Sequence, residues 1–236
     1  MDLHFTSAVE TPEERAAVDA VLGVPGDPLD GGRSARERRH LLLPVLHAIA
    51  ERAGWISGGA LNYACRRLAV PPAEAYGVAT FYAMFSTTPR PPKVLHVCDD
   101  IACAQAGAEA IARSLDDVFA VEGRPSDDGG AMWLRTACLG LCDRAPAALL
   151  TVASDLPQAR QFDGLDAQAA VAIACSDETP HEHGAAPRIG GSPLRLLSRV
   201  GIVDPESLAA YRAQGGYRAL MRAFELGPQR VAGEVV

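Results

Sequence analysis

The sequence predicts an α+β chain: a bundle of helices, then a small sheet with helices packed on it, then a helical tail. Three observations lead there. Residues 11–86 carry apolar side chains at helical spacing between cap signals, residues 92–176 switch to short apolar runs at strand spacing, and residues 177–193 have linker composition. The chain has 236 residues, enough for one large domain or two small ones with a buried core.

The first helix is expected over 11–22, with Thr11 as N-cap, Pro12 in the first turn, Glu14 as the capping-box acid and Gly23 as the stop. Residues 24–32, V-P-G-D-P-L-D-G-G, are a loop. A second helix is expected from Ser34, paired with Glu37, to about Arg52. Leu42, Val45, Leu46, Ile49 and Ala53 form its buried face, Pro44 kinks it, and Gly54 ends it. Ser57 caps a third helix near 58–68, and Pro71-Pro72 opens a fourth that carries Tyr76 to Phe85. Thr87-Thr88-Pro89-Arg90-Pro91-Pro92 reads as a stiff, extended linker.

Beyond it the period changes. Strands are expected at 94–97, 132–135 and 148–152, with a short edge strand at 160–162. Helices are expected at 104–115, with Ala108, Ile111 and Leu115 on one face, and from Asp166 to about Cys175. The order β-α-β-β-β-α over some 80 residues suits a small α/β sandwich of the thioredoxin type. In the tail, Asp204 is the expected cap and Pro205 the first helical residue, Gly215-Gly216 interrupts, and a further helix runs from Tyr217 to Leu226. The expected division is 1–88 helical, 92–176 thioredoxin-like, 177–193 linker and 194–236 tail.

Charge and composition narrow the function. The net charge is −7, and residues 93–175 hold 6 basic and 12 acidic side chains, a surface unsuited to nucleic acid. The cluster Arg33, Arg36, Arg38, Arg39 reads as a solvated helix face or a protein-partner patch. There is no apolar run of eighteen residues and no secretory signal at Met1-Asp2-Leu3-His4, so a cytoplasmic chain without direct membrane insertion is expected. In that compartment, cysteines lean to metal or redox chemistry.

Four of the six cysteines fall in residues 93–142, as a C-x4-C pair (Cys98, Cys103) and a C-x3-C pair (Cys138, Cys142), each after a strand-like run. Four thiols on two strand ends suit zinc or an iron–sulfur cluster. Structural zinc favours C-x2-C knuckles. The wider loops here favour the larger Fe2S2 rhomb, with zinc and then disulfides behind it. A helix that Cys103 precedes is expected to lower that thiol's pKa, and Gly140 to allow a tight loop whose N–H groups bond to sulfur. Asp99, Asp100 and Asp143 beside the ligands disfavour an added electron, so a low reduction potential is expected.

These residues resemble the thioredoxin-like [2Fe-2S] subunit of NADH-oxidising complexes, the E-type subunit of complex I, with relatives in NAD-reducing hydrogenases and NAD-dependent formate dehydrogenases. The resemblance covers roughly residues 33–175. It rests on L-L-L-P-V-L-H…G-W-I-S, G-V-A-T-F-Y-A-M-F, V-C-D-D-I-A-C with Gly107, and C-L-G-L-C-D-R-A-P. It implies a cluster bound by Cys98, Cys103, Cys138 and Cys142 near the FMN of a flavoprotein partner that binds NAD(P)H, with further iron–sulfur and substrate-side subunits beyond. A-Q-A-G-A after Cys103 looks more like the soluble hydrogenase and formate dehydrogenase branch than complex I. The tail, V-D-P-E-S-L-A-A-Y-R-A-Q-G-G-Y-R-A-L-M-R-A-F, resembles the opening of the flavoprotein subunit, which suggests a split fusion that docks on a shortened partner. A free-standing ferredoxin or redox sensor is the alternative, and a structural zinc module the third reading.

The remaining candidates have plainer explanations. Cys65 and Cys175 read as buried small hydrophobes, His47 and His96 as core histidines, and the Trp55, Phe81, Tyr82, Phe85 group as core. His181 and His183 in H-E-H read as exposed linker residues, and no catalytic constellation is visible.

Overall fold

The structure, a computed structural model, describes residues 5–25, 32–176, 195 and 197–235. The chain divides into two units, Met1–His183 and Gly184–Val236, and the division falls within the 177–193 segment. His181 and His183 lie outside the described residues.

In the first unit, α1 (Pro12–Leu22) carries the full capping box. The Thr11 hydroxyl accepts from the Glu14 amide at 3.2 Å, and the Glu14 carboxylate accepts from the Thr11 amide at 2.8 Å. The expected helix over 34–52 is three pieces: α2 (Gly32–Glu37), a 3₁₀ turn (Arg39–Leu41) and α3 (Leu42–Ala53). Pro44 is the reason, acting upstream of itself. Its ring excludes a helical carbonyl four residues earlier, at His40, so the continuous helix starts just before it. In the first turn of α3 the missing proline N–H is one that no intrahelical carbonyl would have bonded, and no interior kink is needed. Ser34 accordingly lies inside α2 and is not its cap.

Helix α4 (Gly58–Leu68) starts on Ser57, which accepts from the Ala60 amide at 3.0 Å, and nearly all of it is buried. Its Ala60, Ala64 and Leu68 share a fully buried cluster with Val18, Leu46 and Ile49. Helix α5 (Pro72–Phe81) stops four residues before the expected Phe85, with Tyr82 extended.

The proline-rich stretch is fastened to the bundle. Arg90 donates from Nε to the Gly54 carbonyl at 2.6 Å and from Nη2 to the Met84 carbonyl at 2.9 Å. Pro91 is buried. The Ser154 amide also reaches the Glu51 carbonyl at 3.1 Å, and Arg52 pairs with Asp155.

The sheet runs β2-β1-β3-β4, with β1 (Lys93–Cys98) parallel to β2 (Ala131–Thr136) and antiparallel to β3 (Ala148–Val152). β4 (Gln158–Phe162) lies at the edge, antiparallel to β3. The β1–β2 crossover carries α6 (Ile101–Gln105) and α7 (Ala108–Phe119), where the sequence predicted one helix; Gly107, at φ 105°, breaks it. Helix α7 and α8 (Ala167–Cys175, capped by Asp166) cover one face over Leu95, Val97, Trp133, Leu150 and Phe162. This parallel pair with an antiparallel hairpin beside it is the expected thioredoxin-like sandwich.

In the second unit, α9 (Leu208–Ala213) starts on Ser207, and Asp204 instead holds a turn by accepting from the Glu206 amide at 3.0 Å. Helix α10 (Arg218–Leu226) matches expectation, and α11 (Pro228–Val235) was not foreseen. Its signal was present: Gly227 as a stop, then a proline at the first helical position. No described residue of this unit is buried.

Candidate metal centre

Parallel strands end at the same edge of a sheet, so the loops that follow β1 and β2 emerge side by side; Cys98 pairs with Thr136 in register. Cys98 is the last residue of β1 and Cys103 sits within α6. Cys138 lies two residues beyond β2, and Cys142 begins a 3₁₀ turn (Cys142–Arg144). All four line one pocket of about 310 Å³, together with Asp100, Ile101, Ala102 and Gln105. Cys98 and Cys103 are buried against Ala108 and Ala147, whereas Cys138 and Cys142 are exposed. The pocket therefore has an inner pair and an outer pair of sulfurs.

Local hydrogen bonds hold the arrangement. The Cys98 amide donates to the Ala147 carbonyl at 3.0 Å and the Asp99 amide to the Thr136 carbonyl at 3.3 Å. Cys138 Sγ and Cys142 Sγ are 3.2 Å apart, and both are free thiols. Gly140 adopts φ 80°, and its amide points at Cys138 Sγ at 3.4 Å, the backbone-to-sulfur contact expected of this loop.

The expected electrostatics need correcting. Cys103 lies inside a five-residue helix, not before one, and burial, followed by a hydrogen bond shared with Cys98, pushes its thiol up to about 11. Cys142 is also raised, first by its hydrogen bond with Cys138. Occupation of the site must displace these protons. The acids are also less bare than their count suggests. Arg135 stands 3.9 Å from Asp99, 3.2 Å from Glu109 and 3.5 Å from Glu122. Arg144 stands 3.6 Å from Asp143 and 3.5 Å from Asp163. Neither arginine stood out in the sequence. Arg144 was visible in C-D-R, but only the strand register shows Arg135 beside Asp99.

Elsewhere, Cys65 is buried as expected, which pushes its thiol up to about 12. Cys175 is exposed, because it ends α8 beyond the packed face. The aromatic group is only partly core: Phe85 is buried, but Phe81 is 81% exposed and Tyr82 stands edge-on to both in the open. His96 is buried and His47 exposed, edge-on to Phe85 at 4.8 Å.

Among the described residues, no three His, Cys, Asp or Glu side chains close around one ion position, whereas the four thiols share this pocket as two pairs. That donor set suits two irons each holding two thiolates.

Comparison with known proteins agrees. Residues 32–159 match the thioredoxin-like [2Fe-2S] ferredoxin family, which leaves the tail outside the match. The E-type subunit of the NADH-quinone oxidoreductase of Pseudomonas aeruginosa is 29% identical over 109 residues, 46% of this chain and 66% of that protein. Its counterpart in Escherichia coli K12 gives the same figures. NADH-quinone oxidoreductase subunit 2 of Thermus thermophilus is 31% identical over 110 residues, 46% of this chain and 61% of that protein. The chain thus spans about two thirds of the length of these relatives or slightly less. The crystal structure of an air-oxidised NAD+-reducing [NiFe]-hydrogenase aligns with a TM-score of 0.47 at 30% identity, over 58% of this chain and 23% of that one. With half the chain matched and the four thiols gathered at one strand edge, the protein belongs to the thioredoxin-like [2Fe-2S] ferredoxin family, whose cofactor is a [2Fe-2S] cluster.

Proposed function

We propose that this chain is the electron-transfer subunit of a multisubunit NAD(P)H-oxidising or NAD(P)+-reducing oxidoreductase. Its cluster would be held by Cys98, Cys103, Cys138 and Cys142, beside the FMN of a flavoprotein subunit. The observation that carries the proposal is the convergence of these four thiols in one pocket with an exposed outer pair. When bound there, the cluster supplies a site for one electron at a time. The chain's own part is to fix that site. Two parallel strand ends set the pairs side by side, the Gly140 amide bonds to sulfur, and Cys98 and Cys103 rest on an apolar floor that keeps water from the inner side.

Several features support the finer reading. The relatives are named as subunits of NADH-quinone oxidoreductases. The A-Q-A-G-A run favours the soluble hydrogenase or formate dehydrogenase type over complex I, and the helical N-terminal domain and flavoprotein-like tail favour a subunit over a free-standing ferredoxin. On this reading residues 1–88 and 92–176 form the cluster-bearing body, 177–193 link it to the tail, and 194–236 dock on the flavoprotein. The described residues contain no helix long and apolar enough to cross a membrane, which agrees with a cytoplasmic place.

The test is spectroscopic first. Purified protein should be coloured and, on reduction, show the EPR signal of one binuclear cluster; Cys98→Ser or Cys142→Ser should lose or alter it. A colourless, EPR-silent protein loaded with zinc would overturn the assignment. Capture from the native host then separates a subunit from a free ferredoxin: a flavoprotein containing FMN should co-purify in fixed ratio. Its absence would leave only the free-standing carrier.

A further inference from the structure

A second cavity, of about 440 Å³, shares no lining residue with the thiol pocket. Its floor is the sheet face opposite α7 and α8, where Val94, Leu149 and Thr151 alternate with the residues that face those helices. Its wall comes from α3 and the turn after α5, through Ala50 and Phe85. This size and a mainly apolar lining with few polar groups are the marks of small-molecule sites.

The polar group that decides the ligand is Arg90. Its guanidinium gives two N–H groups to the Gly54 and Met84 carbonyls, at 2.6 and 2.9 Å. Those neutral acceptors satisfy hydrogen bonds but leave the charge uncompensated, and no carboxylate among the described residues forms an ion pair with it. Burial accordingly lowers its pKa. A half-buried cation in an apolar wall without an anion is an unfavourable arrangement that an anionic ligand would relieve. No second cation backs it from the sheet. His96 beneath Thr151 is 1% exposed, and no other lysine or arginine lines the cavity. Glu51 lines the same cavity and opposes a second negative charge.

We propose that this cavity binds a small amphipathic monoanion, a medium-chain carboxylate whose acyl body lies along Val94, Leu149 and Phe85 and whose carboxylate pairs with Arg90. One guanidinium matches one carboxylate in fork geometry. A phosphate dianion would be left half compensated and facing Glu51. A purely apolar occupant would bury the guanidinium further with no partner. Because the walls belong to the bundle and to the β3–β4 hairpin, an occupant joins the two and raises the stability of the first unit.

The test is calorimetric titration of the full-length holoprotein with octanoate, alongside octanol and inorganic phosphate, with melting temperature as a second readout. Octanoate should bind saturably at one site and raise Tm. Octanol and phosphate should bind at least about tenfold more weakly. Arg90→Gln should cost octanoate about tenfold in affinity. That substitution also removes two structural hydrogen bonds, so a second variant is needed. Ala159 is exposed on the edge strand and lines the cavity opposite Thr151, so Ala159→Trp should fill the space and abolish binding while the cluster spectrum is retained. No saturable octanoate binding at millimolar concentration would overturn the proposal. So would equal binding of octanol, tighter binding of phosphate, or undiminished octanoate affinity in a folded Ala159→Trp variant.

Discussion

Arg135 gathers Asp99, Glu109 and Glu122 where β2 ends, one strand away from Cys98. On the proposed assignment of the cluster, a cation there offsets the carboxylates that would otherwise oppose an added electron at the thiol pocket. Arg135→Gln should therefore lower the midpoint potential of the cluster, by on the order of tens of millivolts at this distance and solvent exposure. A redox titration showing an unchanged or higher midpoint would refute that role. His96 makes a pH-dependent prediction at the same scale. Its folded pKa is about 4 and its ordinary value 6.5, so between those values the unfolded chain binds a proton that the folded chain does not. Stability should be unaffected by this group above pH 6.5 and fall as pH drops towards 4, by at most about 1.4 kcal/mol per unit. His96→Asn should flatten the fall seen in urea unfolding at pH 7 and pH 5; an identical pH dependence in the variant would show that another group carries it. That a histidine in the apolar run K-V-L-H-V-C is a core residue was legible. That it lies beneath a cavity beside Arg90 was not, because the two meet only through the fold.

Cap chemistry was readable among the helices because it is local: Thr11, Ser57 and Asp166 each bond an amide within three residues. The breaks at Arg38–Leu41 and Gly107 were harder to see. The first follows a polar, arginine-rich stretch with no repeat of its own to mark an end, and the second sits inside an alanine-rich run, so local pattern alone joins the pieces. Packing between elements was harder still. Gly59 looks like a weak spot in α4, and alanine there would gain about 1 kcal/mol of helix propensity. Yet an added Cβ would collide with the backbone of Val9 and Glu10. That backbone is held in place, since Asn62 bonds the carbonyls of Thr6 and Ala8 at 3.0 and 2.9 Å. Overpacking costs about 1–3 kcal/mol and should win. Gly59→Ala should lower unfolding stability by about 1–2 kcal/mol, while the neighbouring Gly58→Ala, with only ordinary contacts at 3.4 and 3.5 Å, should change it little. A stabilised Gly59→Ala protein would show that the 5–10 segment yields.

Across the whole molecule, the first unit has buried clusters of its own, whereas no described residue of the second is buried. Helix α10 presents Leu220, Met221 and Phe224, all exposed, along one face, and Tyr217 is exposed at its N-cap. So much exposed apolar surface on a small helical segment suits a docking face. On the proposed function its partner is the flavoprotein. Deleting residues 190–236 should leave the cluster spectrum intact and weaken co-purification with that subunit, by about tenfold or more in affinity. Unaltered association would place docking elsewhere on the chain.

The amino-acid order by itself determined the helix caps, the strand periods and the two spaced cysteine pairs, because each depends on residues within a few positions of one another. Only the tertiary structure decided that the pairs meet, since that follows from β1 and β2 running parallel. It also decided which acids are offset by arginine, which aromatic rings stay in solvent, and that Arg90 faces an apolar cavity. Those features depend on residues far apart in sequence, and nothing in local pattern specifies which of them become neighbours.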